Sequence, residues 1–236
     1  VGERVTTGGK VLTPLLDEEI DRVIKQLADI APESIAICLL FSYSNDEHES
    51  KLAQRIREAF PDIPVTVSSE IVREFREYPR TSTTVINAGL RPIVGSYLES
   101  VQGKIEESGV HAPFLVMQSN GGCAVATRSA QESHRLILSG PAGGAAGLVT
   151  LGRQHNLDKL IGLDMGGTST DICLIKDGKL PLKSTQIIND HTLLAPTVDI
   201  HTIGSGGGSI AYVDNTGRLK VGPMSAKAVP GPAAYM

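Results

Sequence analysis

Two carboxylates, three hydroxyls and two adjacent glycines fall within one short stretch: Asp164, Gly166, Gly167, Thr168, Ser169, Thr170 and Asp171. These residue types suit phosphate chemistry. Glycine lets backbone N–H groups come close to an anion, and hydroxyls can donate to the same oxygens. An ionised carboxylate only accepts, so Asp164 and Asp171 suit Mg2+ or a water better than a phosphate. The alternative is an ordinary Gly-rich β-turn, which glycines alone would favour. Two aspartates and three hydroxyls packed between apolar runs favour a phosphate-and-magnesium hairpin. The Gly-Lys-Ser/Thr end of a P-loop is missing. The third glycine and following helix of a dinucleotide fold are missing too.

Two strands must hold this turn: Leu160, Ile161 and Leu163 lead in, and Ile172 to Ile175 lead out. Asp177-Gly178 then turns the chain into Lys179 to Ser184, which predicts a three-strand antiparallel meander. Upstream, Ser139 to Gly147 reads as a helix start with Pro141 at its first position. Its small residues suit either close packing or an anion at the N-terminus. Downstream comes an extended run, Thr197 to Ile203. Asp199 and His201 lie two apart and share a strand face. They are candidate metal or substrate ligands, or a structural hydrogen-bonded pair. The run Gly204 to Gly208, with Gly206 and Gly207 at its centre, reads as a second phosphate-contacting turn. Ser209 to Asp214 and Arg218 to Val221 form a hairpin through Asn215-Thr-Gly217.

The first part of the chain alternates helix and strand patterns. Val1 to Lys10 reads as a strand end or hairpin remnant. Asp17 to Ala31 is an amphipathic helix with acidic residues at its positive end. Ile35 to Phe41 predicts a strand buried on both faces. A capping box at Ser44 and Glu47 opens a helix over Asn45 to Phe60, which Pro61 and Pro64 stop. Val65 to Val67 follows, and strand–helix–strand order implies a parallel pair. Glu70 to Arg80 is densely charged. It is either a solvated helical face or a place where Arg76 or Arg80 points into a cleft. Thr81 to Val101 is helical, with Pro92 kinking it or starting a second helix. Phe114 to Gln118 is a strand ending in Ser119-Asn120-Gly121-Gly122, either a plain hairpin turn or a polar strand end facing a cleft.

Composition narrows the class. The 236 residues can build one large or two modest domains. With 41% apolar and 20% charged residues the chain is globular, not disordered. A net charge of −4 and no Lys/Arg tract with interleaved aromatics argue against general nucleic-acid binding. The longest apolar run is far too short to span a bilayer, and no stretch reads as a signal peptide. Cys38, Cys123 and Cys173 are odd in number and scattered, with no zinc or disulfide spacing, which suits a reducing cytoplasm. Cys38 and Cys173, in apolar runs, read as buried inert thiols. The chain opens on Val1 and closes after a Gly-Pro-rich stretch, with Val229 to Pro232 as a rigid loop, so the expectation is a segment of a longer polypeptide.

Six segments in order carry a family resemblance: EFREYPRTSTTVINA (Glu74 to Ala88), MQSNGG (Met117 to Gly122), SGPAGG (Ser139 to Gly144), DMGGTSTD (Asp164 to Asp171), DIHTIGSGGGSIA (Asp199 to Ala211) and GPMSAKAVPGPAAY (Gly222 to Tyr235). The chain resembles the hydantoinase A / 5-oxoprolinase family, including N-methylhydantoinase A and the ATPase subunits of acetone and acetophenone carboxylases. The resemblance implies a partial α/β, actin-like ATPase (ribonuclease H-like) fold, built of strand–helix–strand units plus an antiparallel phosphate hairpin. It implies that residues 1–80 end the family's N-terminal domain and residues 81–236 begin its hydantoinase A domain. It implies ATP and Mg2+ as cofactors, a cyclic amide substrate of hydantoin or oxoproline type and a hydantoinase B-type partner subunit. Asp164 would hold Mg2+. Gly166, Gly167 and Thr168 would cradle phosphate, with Ser169 and Thr170 adding donors. Asp171 would orient the attacking group or the metal shell, or close the hairpin base. Asp199 and His201 would serve the substrate side. Two other roles fit the same hairpin: a ketone carboxylase subunit, or a nucleotide-binding module inactive in isolation. The chain departs from the family pattern at Lys227, where the family has Gly, and at Ala234, where it has Cys.

Overall fold

A computed structural model describes residues 1–227, 229 and 231. The rigid loop expected over Val229 to Pro232 lies partly outside these residues, and Ala234 wholly so. The chain divides into two compact units. The first comprises residues 1–116, 123–137 and 184–196, and the second residues 117–122, 138–183 and 197–236.

The first unit opens on an antiparallel hairpin, β1 (Arg4–Val5) and β2 (Val11–Thr13). Helix α1 (Asp17–Ile30) follows, ending on Ala31 in the left-handed region. β3 (Ile35–Ile37) and β4 (Val65–Val67) pair in parallel, as their order around helix α2 (Glu47–Ala59) implies. Leu15, Ile20, Ile35, Ile37, Leu52 and Ile56 are among the side chains of the core between these helices and the strand pair.

Three expectations change here. β3 stops at Ile37, and Ala36 is exposed, so the strand is buried on one face only. The reason lies at Leu39: its N–H donates to Glu49 Oε1 at 2.7 Å and its carbonyl accepts from Arg80 Nη2 at 2.7 Å. Those side chains take the backbone groups a longer ladder would need. Helix α2 starts two residues later than expected. The Asn45 side chain accepts from the Glu47 N–H at 3.0 Å, in place of a Ser44–Glu47 box. The charged stretch is not one solvated helix. Helix α3 (Ser68–Ile71) ends early, Arg76 sits at φ 76°, and helix α4 (Glu77–Glu107) begins after it and runs through Pro92 as one element.

Arg80 is fully buried. It donates to Ser42 Oγ and to Ser68 Oγ, and lies 3.8 Å from the equally buried Glu49. Glu49 in turn accepts from Ser68 Oγ at 2.7 Å and the Ser69 N–H at 3.0 Å. A charge pair this deep persists only when its remaining donors and acceptors are met, and these partners meet most of them.

Two turns further along α4, Asn87 Nδ2 donates to Thr66 Oγ1 and to the Gln131 carbonyl. Its Oδ1 accepts from the backbone and ring of His134. Thr83 Oγ1 accepts from the Leu194 N–H at 2.8 Å. The motif Glu74 to Ala88 is therefore the brace of this unit. It ties α4 to β4, to helix α5 (Ala126–Gln131) with the short 3-10 turn Ser133–Leu136, and to the strand that carries Leu194. The strands of this part are β5 (Leu115–Met117), β6 (Cys123–Val125), β9 (Leu182–Ile188) and β10 (His191–Val198), and they pair as β5–β6 and β9–β10.

In the second unit, helix α6 (Ser139–Gln154) lies against a sheet ordered β11–β8–β7. Its strands are β7 (Leu160–Met165), β8 (Thr170–Ile175) and β11 (Ile200–Ile203). Pro141 is the third helical residue rather than the first, where its missing N–H still removes no helical bond. The small residues of α6 serve packing: Ala142 and Ala145 are buried against Cys173 and Ile175. The third strand is β11, not Lys179 to Ser184; after the turn only Lys176 and Lys179 bridge, and the chain leaves to form β9. A last hairpin joins β12 (Ser209–Val213) to β13 (Leu219–Ser225). Among the described residues no helix is long and apolar enough to cross a membrane.

Candidate functional site

The hairpin register places the acidic pair. Asp164 stands directly opposite Asp171 across β7–β8, and Thr202 stands opposite Asp171 across β8–β11. Side chains alternate along a strand. Asp164, Asp171, Cys173, Ile200 and Thr202 therefore share the face turned to α6. A cavity of about 750 Å³ between α6 and this face has both aspartates among its walls. The two carboxylates are not equivalent. Thr202 Oγ1 donates to Asp171 Oδ1 at 2.5 Å, whereas Asp164 is exposed and accepts no hydrogen bond among the described residues. Burial pushes the Cys173 thiol up, against the pull of a Gly162 backbone bond, which keeps it an inert wall residue. Cys38 lies just past β3 and is only partly buried, with its sulfur 3.0 Å from Thr81 Oγ1.

The turn between β7 and β8 is set by what holds its carbonyls. The Gly166 carbonyl accepts from the Gly207 N–H at 2.9 Å, and the Gly167 carbonyl accepts from the Gly208 N–H at 2.7 Å. Ser225 Oγ also donates to Gly167 O at 3.4 Å. A trans peptide is planar and its C=O and N–H point in opposite directions. Pinning those two carbonyls toward the glycine run therefore turns the amides of Gly167 and Thr168 away from it. Neither these amides nor that of Ser169 has an acceptor among the described residues, and the hydroxyls of Thr168 and Ser169 are equally unengaged. Adjacent N–H groups aimed outward from a turn make a concavity for an anion.

The other predicted ligands sit differently. Thr170 is buried and its hydroxyl donates to the Ser205 carbonyl at 2.6 Å, so it braces the hairpin base rather than facing out. The Gly206 N–H donates to Ser209 Oγ at 2.8 Å and the Gly207 N–H to Gly166. The glycine run thus holds the first turn in place of forming a second one. A Cβ on Gly206 would lie 2.5 Å from Gly166 O and 2.8 Å from Ser169 N, so only glycine allows this approach.

Asp199 lies between β10 and β11 and is ion-paired with Lys183 at 2.5 Å. His201 stands opposite Ile172, on the sheet face away from Asp171. Neither joins the aspartate pair. Among the described residues no group of three or more His, Cys, Asp or Glu is placed to hold a metal by itself. Ser119 to Gly122 forms a tight turn between β5 and β6, with Gln118 N–H donating to Gly122 O at 2.8 Å. Sequence reasoning did not single out Thr202, Gly208 or Ser225. Each lies inside or beside a resembling segment, but only pairing across the sheet reveals what it touches.

The α subunit of caprolactamase from Pseudomonas jessenii is 36% identical over the whole chain, which covers 34% of it. A 5-oxoprolinase from Saccharomyces cerevisiae is 36% identical over 93% of the chain and 17% of its own length. The crystal structure of the ATP-dependent caprolactamase from Pseudomonas jessenii superposes with a TM-score of 0.88 at 36% identity, over 99% of this chain and 34% of that one. A nucleotide-free acetone carboxylase superposes with a TM-score of 0.76 at 30% identity, over 95% and 32%. The chain spans about a third of the length of the first curated relatives it matches. The fold is that of these ATPases, a partial α/β architecture as the resemblance implies. Residues 1–60 match the hydantoinase/oxoprolinase N-terminal region and residues 80–236 match hydantoinase/oxoprolinase, so the chain belongs to the hydantoinase/oxoprolinase family.

Proposed function

We propose that the chain is part of a subunit of an ATP-dependent cyclic-amide hydrolase. The observation that carries this reading is the turn Gly166–Ser169: the amides of Gly167 and Thr168 face away from the glycine run and, like that of Ser169, have no acceptor among the described residues, beside an Asp164 carboxylate that is equally unengaged. ATP would supply the phosphoryl group that turns a ring carbonyl oxygen into a leaving group, and Mg2+ would offset the phosphate charge. The donor set suits Mg2+, which is held by one or two carboxylates with phosphate oxygens and waters completing its shell. Asp164 would hold it, and Asp171, oriented by Thr202, would order its shell or a water. Gly167, Thr168 and Ser169 would bind phosphate oxygens. Residues 1–80 would end the N-terminal domain and residues 81–236 begin the hydantoinase A domain. A B-type partner subunit, hydantoin or oxoproline as substrate and a cytoplasmic setting complete the proposal. The free cysteines Cys38, Cys123 and Cys173 suit that compartment.

A second reading has a specific support, the similarity to an acetophenone carboxylase γ subunit, 31% identical over the whole chain, and to acetone carboxylase. The two separate by product. Ring opening without bicarbonate supports the hydrolase, whereas bicarbonate incorporated into a ketone supports the carboxylase. The phosphate site itself is tested by Asp164→Ala in the whole protein. ATP turnover is expected to fall below detection while the melting temperature stays within about 2 °C, as for a surface substitution. Retained turnover would sink the assignment.

A further inference from the structure

The first unit holds a polar cavity of about 680 Å³ that the proposed reaction does not use. Val65, Thr66, Arg57, Glu70 and Arg91 are among its walls. Two guanidinium groups converge there on one acceptor. Arg91 Nη1 donates to the Val65 carbonyl at 2.6 Å, and Arg57 Nη2 reaches the same oxygen at 3.4 Å. Their situations differ. Arg57 makes a two-point ion pair with Glu70, at 3.1 and 2.8 Å. Arg91 has no carboxylate within 4 Å among the described residues, and only one of its donors is engaged.

The paired acids nearby do not contact Arg91. Glu70 belongs to Arg57, and Glu132 is held by Arg128 at 2.6 Å and Arg135 at 2.8 Å. Of the carboxylates lining the cavity, Asp62 alone has no ion-pair partner among the described residues, and it is exposed to solvent. Burial, and then repulsion from Arg57, pulls the Arg91 pKa down from its ordinary value, against a smaller opposing attraction from Glu70. A second donor lines the same cavity. Thr66 is 1% exposed, and its Oγ1 accepts from Asn87 Nδ2. Its own proton has no acceptor among the described residues.

A half-buried cation with no carboxylate in contact is unfavourable, and a buried hydroxyl proton without an acceptor adds to that cost. A small oxyanion would remove both penalties, since the planar guanidinium fork matches carboxylate and phosphate oxygens. We propose that Arg91 and Thr66 form a binding site for a small oxyanion, a carboxylate or phosphate group, in the cavity beside the Arg57–Glu70 pair. The site is independent of the glycine turn and of the reaction proposed for it.

Thermal melts of the 236-residue chain test this, in inorganic phosphate and separately in glutarate, each against chloride at equal ionic strength. For a Kd of about 1 mM, 10 mM ligand is expected to raise the melting temperature by roughly 3 to 6 °C. Whichever anion gives the larger rise identifies the preferred group. Arg91→Gln is expected to lose the rise while melting no lower than the parent in chloride, because it removes an unpaired charge. Arg91→Lys keeps the charge without the fork and is expected to bind about tenfold more weakly. Thr66→Val is expected to reduce the rise. An anion effect that survives Arg91→Gln would place the binding elsewhere and overturn the proposal. So would a parent chain with no anion effect and an Arg91→Gln variant that melts lower, since Arg91 would then only strap the Val65 carbonyl.

Discussion

The second unit contains two glycine-rich segments of similar composition and opposite use. In Gly166–Ser169 the carbonyls of Gly166 and Gly167 are pinned, and the amides of Gly167, Thr168 and Ser169 are unengaged among the described residues. In the run from Gly204 to Gly208 the amides of Gly206, Gly207 and Gly208 all donate, two of them to the first turn. In the proposed function one segment presents donors to a ligand and the other holds them in position. Glycine content alone cannot separate these roles, because the distinction lies in where each peptide plane points. The difference predicts that alanine in the two segments will fail in different ways.

The largest effect is expected at Gly206. A Cβ there meets backbone on three sides, none of which can move like a flexible side chain. Gly206→Ala in the whole protein is expected to cost roughly 1 to 3 kcal/mol of stability by overpacking. It is also expected to lower ATP turnover more than 100-fold by displacing the turn it holds. Gly167→Ala is the counterpart, since its Cβ meets nothing within 4 Å. Its melting temperature is expected to stay within about 2 °C of the parent, while nucleotide affinity falls about tenfold as the methyl crowds the anion. If calorimetry and turnover show the two variants failing alike, the division into ligand turn and holding run is wrong.

This division also marks how far the sequence could be read. The hairpin, its flanking strands, the α1–β3–α2–β4 order and the final hairpin are legible because apolar period and turn residues are local signals. The third strand of the sheet is not. Asp177-Gly178 does turn the chain, but β11 pairs with β8 from 25 or more residues away, and nothing local distinguishes it from Lys179 to Ser184. Arg80 shows the limit most sharply. Among Glu and Arg neighbours it reads either as a solvated face or as a side chain pointing into a cleft, and only the convergence of Glu49, Ser42 and Ser68, invisible in the local sequence, makes its full burial tolerable. Asp199 reads as a ligand or as half of a structural pair with His201, and its ion pair with Lys183 is not legible because Lys183 belongs to another strand.

The contrast between open and closed polar groups extends to the first unit, where the unengaged group is buried. His134 is fully buried, and its ring Nδ1 donates to Asn87 Oδ1 at 2.9 Å, leaving Nε2 without a partner among the described residues. An unengaged amide in solvent carries no penalty, but this ring cannot take a second proton cheaply. Burial, reinforced by the Arg135 charge, lowers its pKa to about 4. Between pH 6.5 and 4 the unfolded chain binds a proton at this site that the folded chain does not, so stability falls as pH drops through that window. The loss attributable to His134 at pH 4.5 is expected to be roughly 2 to 3 kcal/mol relative to pH 7. Urea unfolding of the parent and of His134→Gln at both pH values checks it. The gap between pH 7 and pH 4.5 should shrink by that amount in the variant; an unchanged gap would mean that the ring protonates in the fold.

The smallest effect is expected at the outer layer of the holding run. The Ala226 N–H donates to the Gly208 carbonyl at 2.7 Å, and the Lys227 N–H donates to Ser225 Oγ at 3.1 Å, so this segment backs the run that backs the turn. Lys227 reaches that position at φ 54°, in the left-handed region where a Cβ is disfavoured. It is also where the family resemblance places glycine. Lys227→Gly relieves the backbone but gives the unfolded chain more freedom, and the two terms oppose each other. Backbone relief of about 1 to 2 kcal/mol exceeds the entropic loss, so a net gain of roughly 0.5 kcal/mol is expected, read as a rise of about 1 to 2 °C in melting temperature. Nucleotide affinity should not change, because the carbonyls of Gly166 and Gly167 keep their donors. A variant that gains stability but loses affinity would show that Lys227 itself reaches the phosphate, and that the holding layer is part of the ligand site.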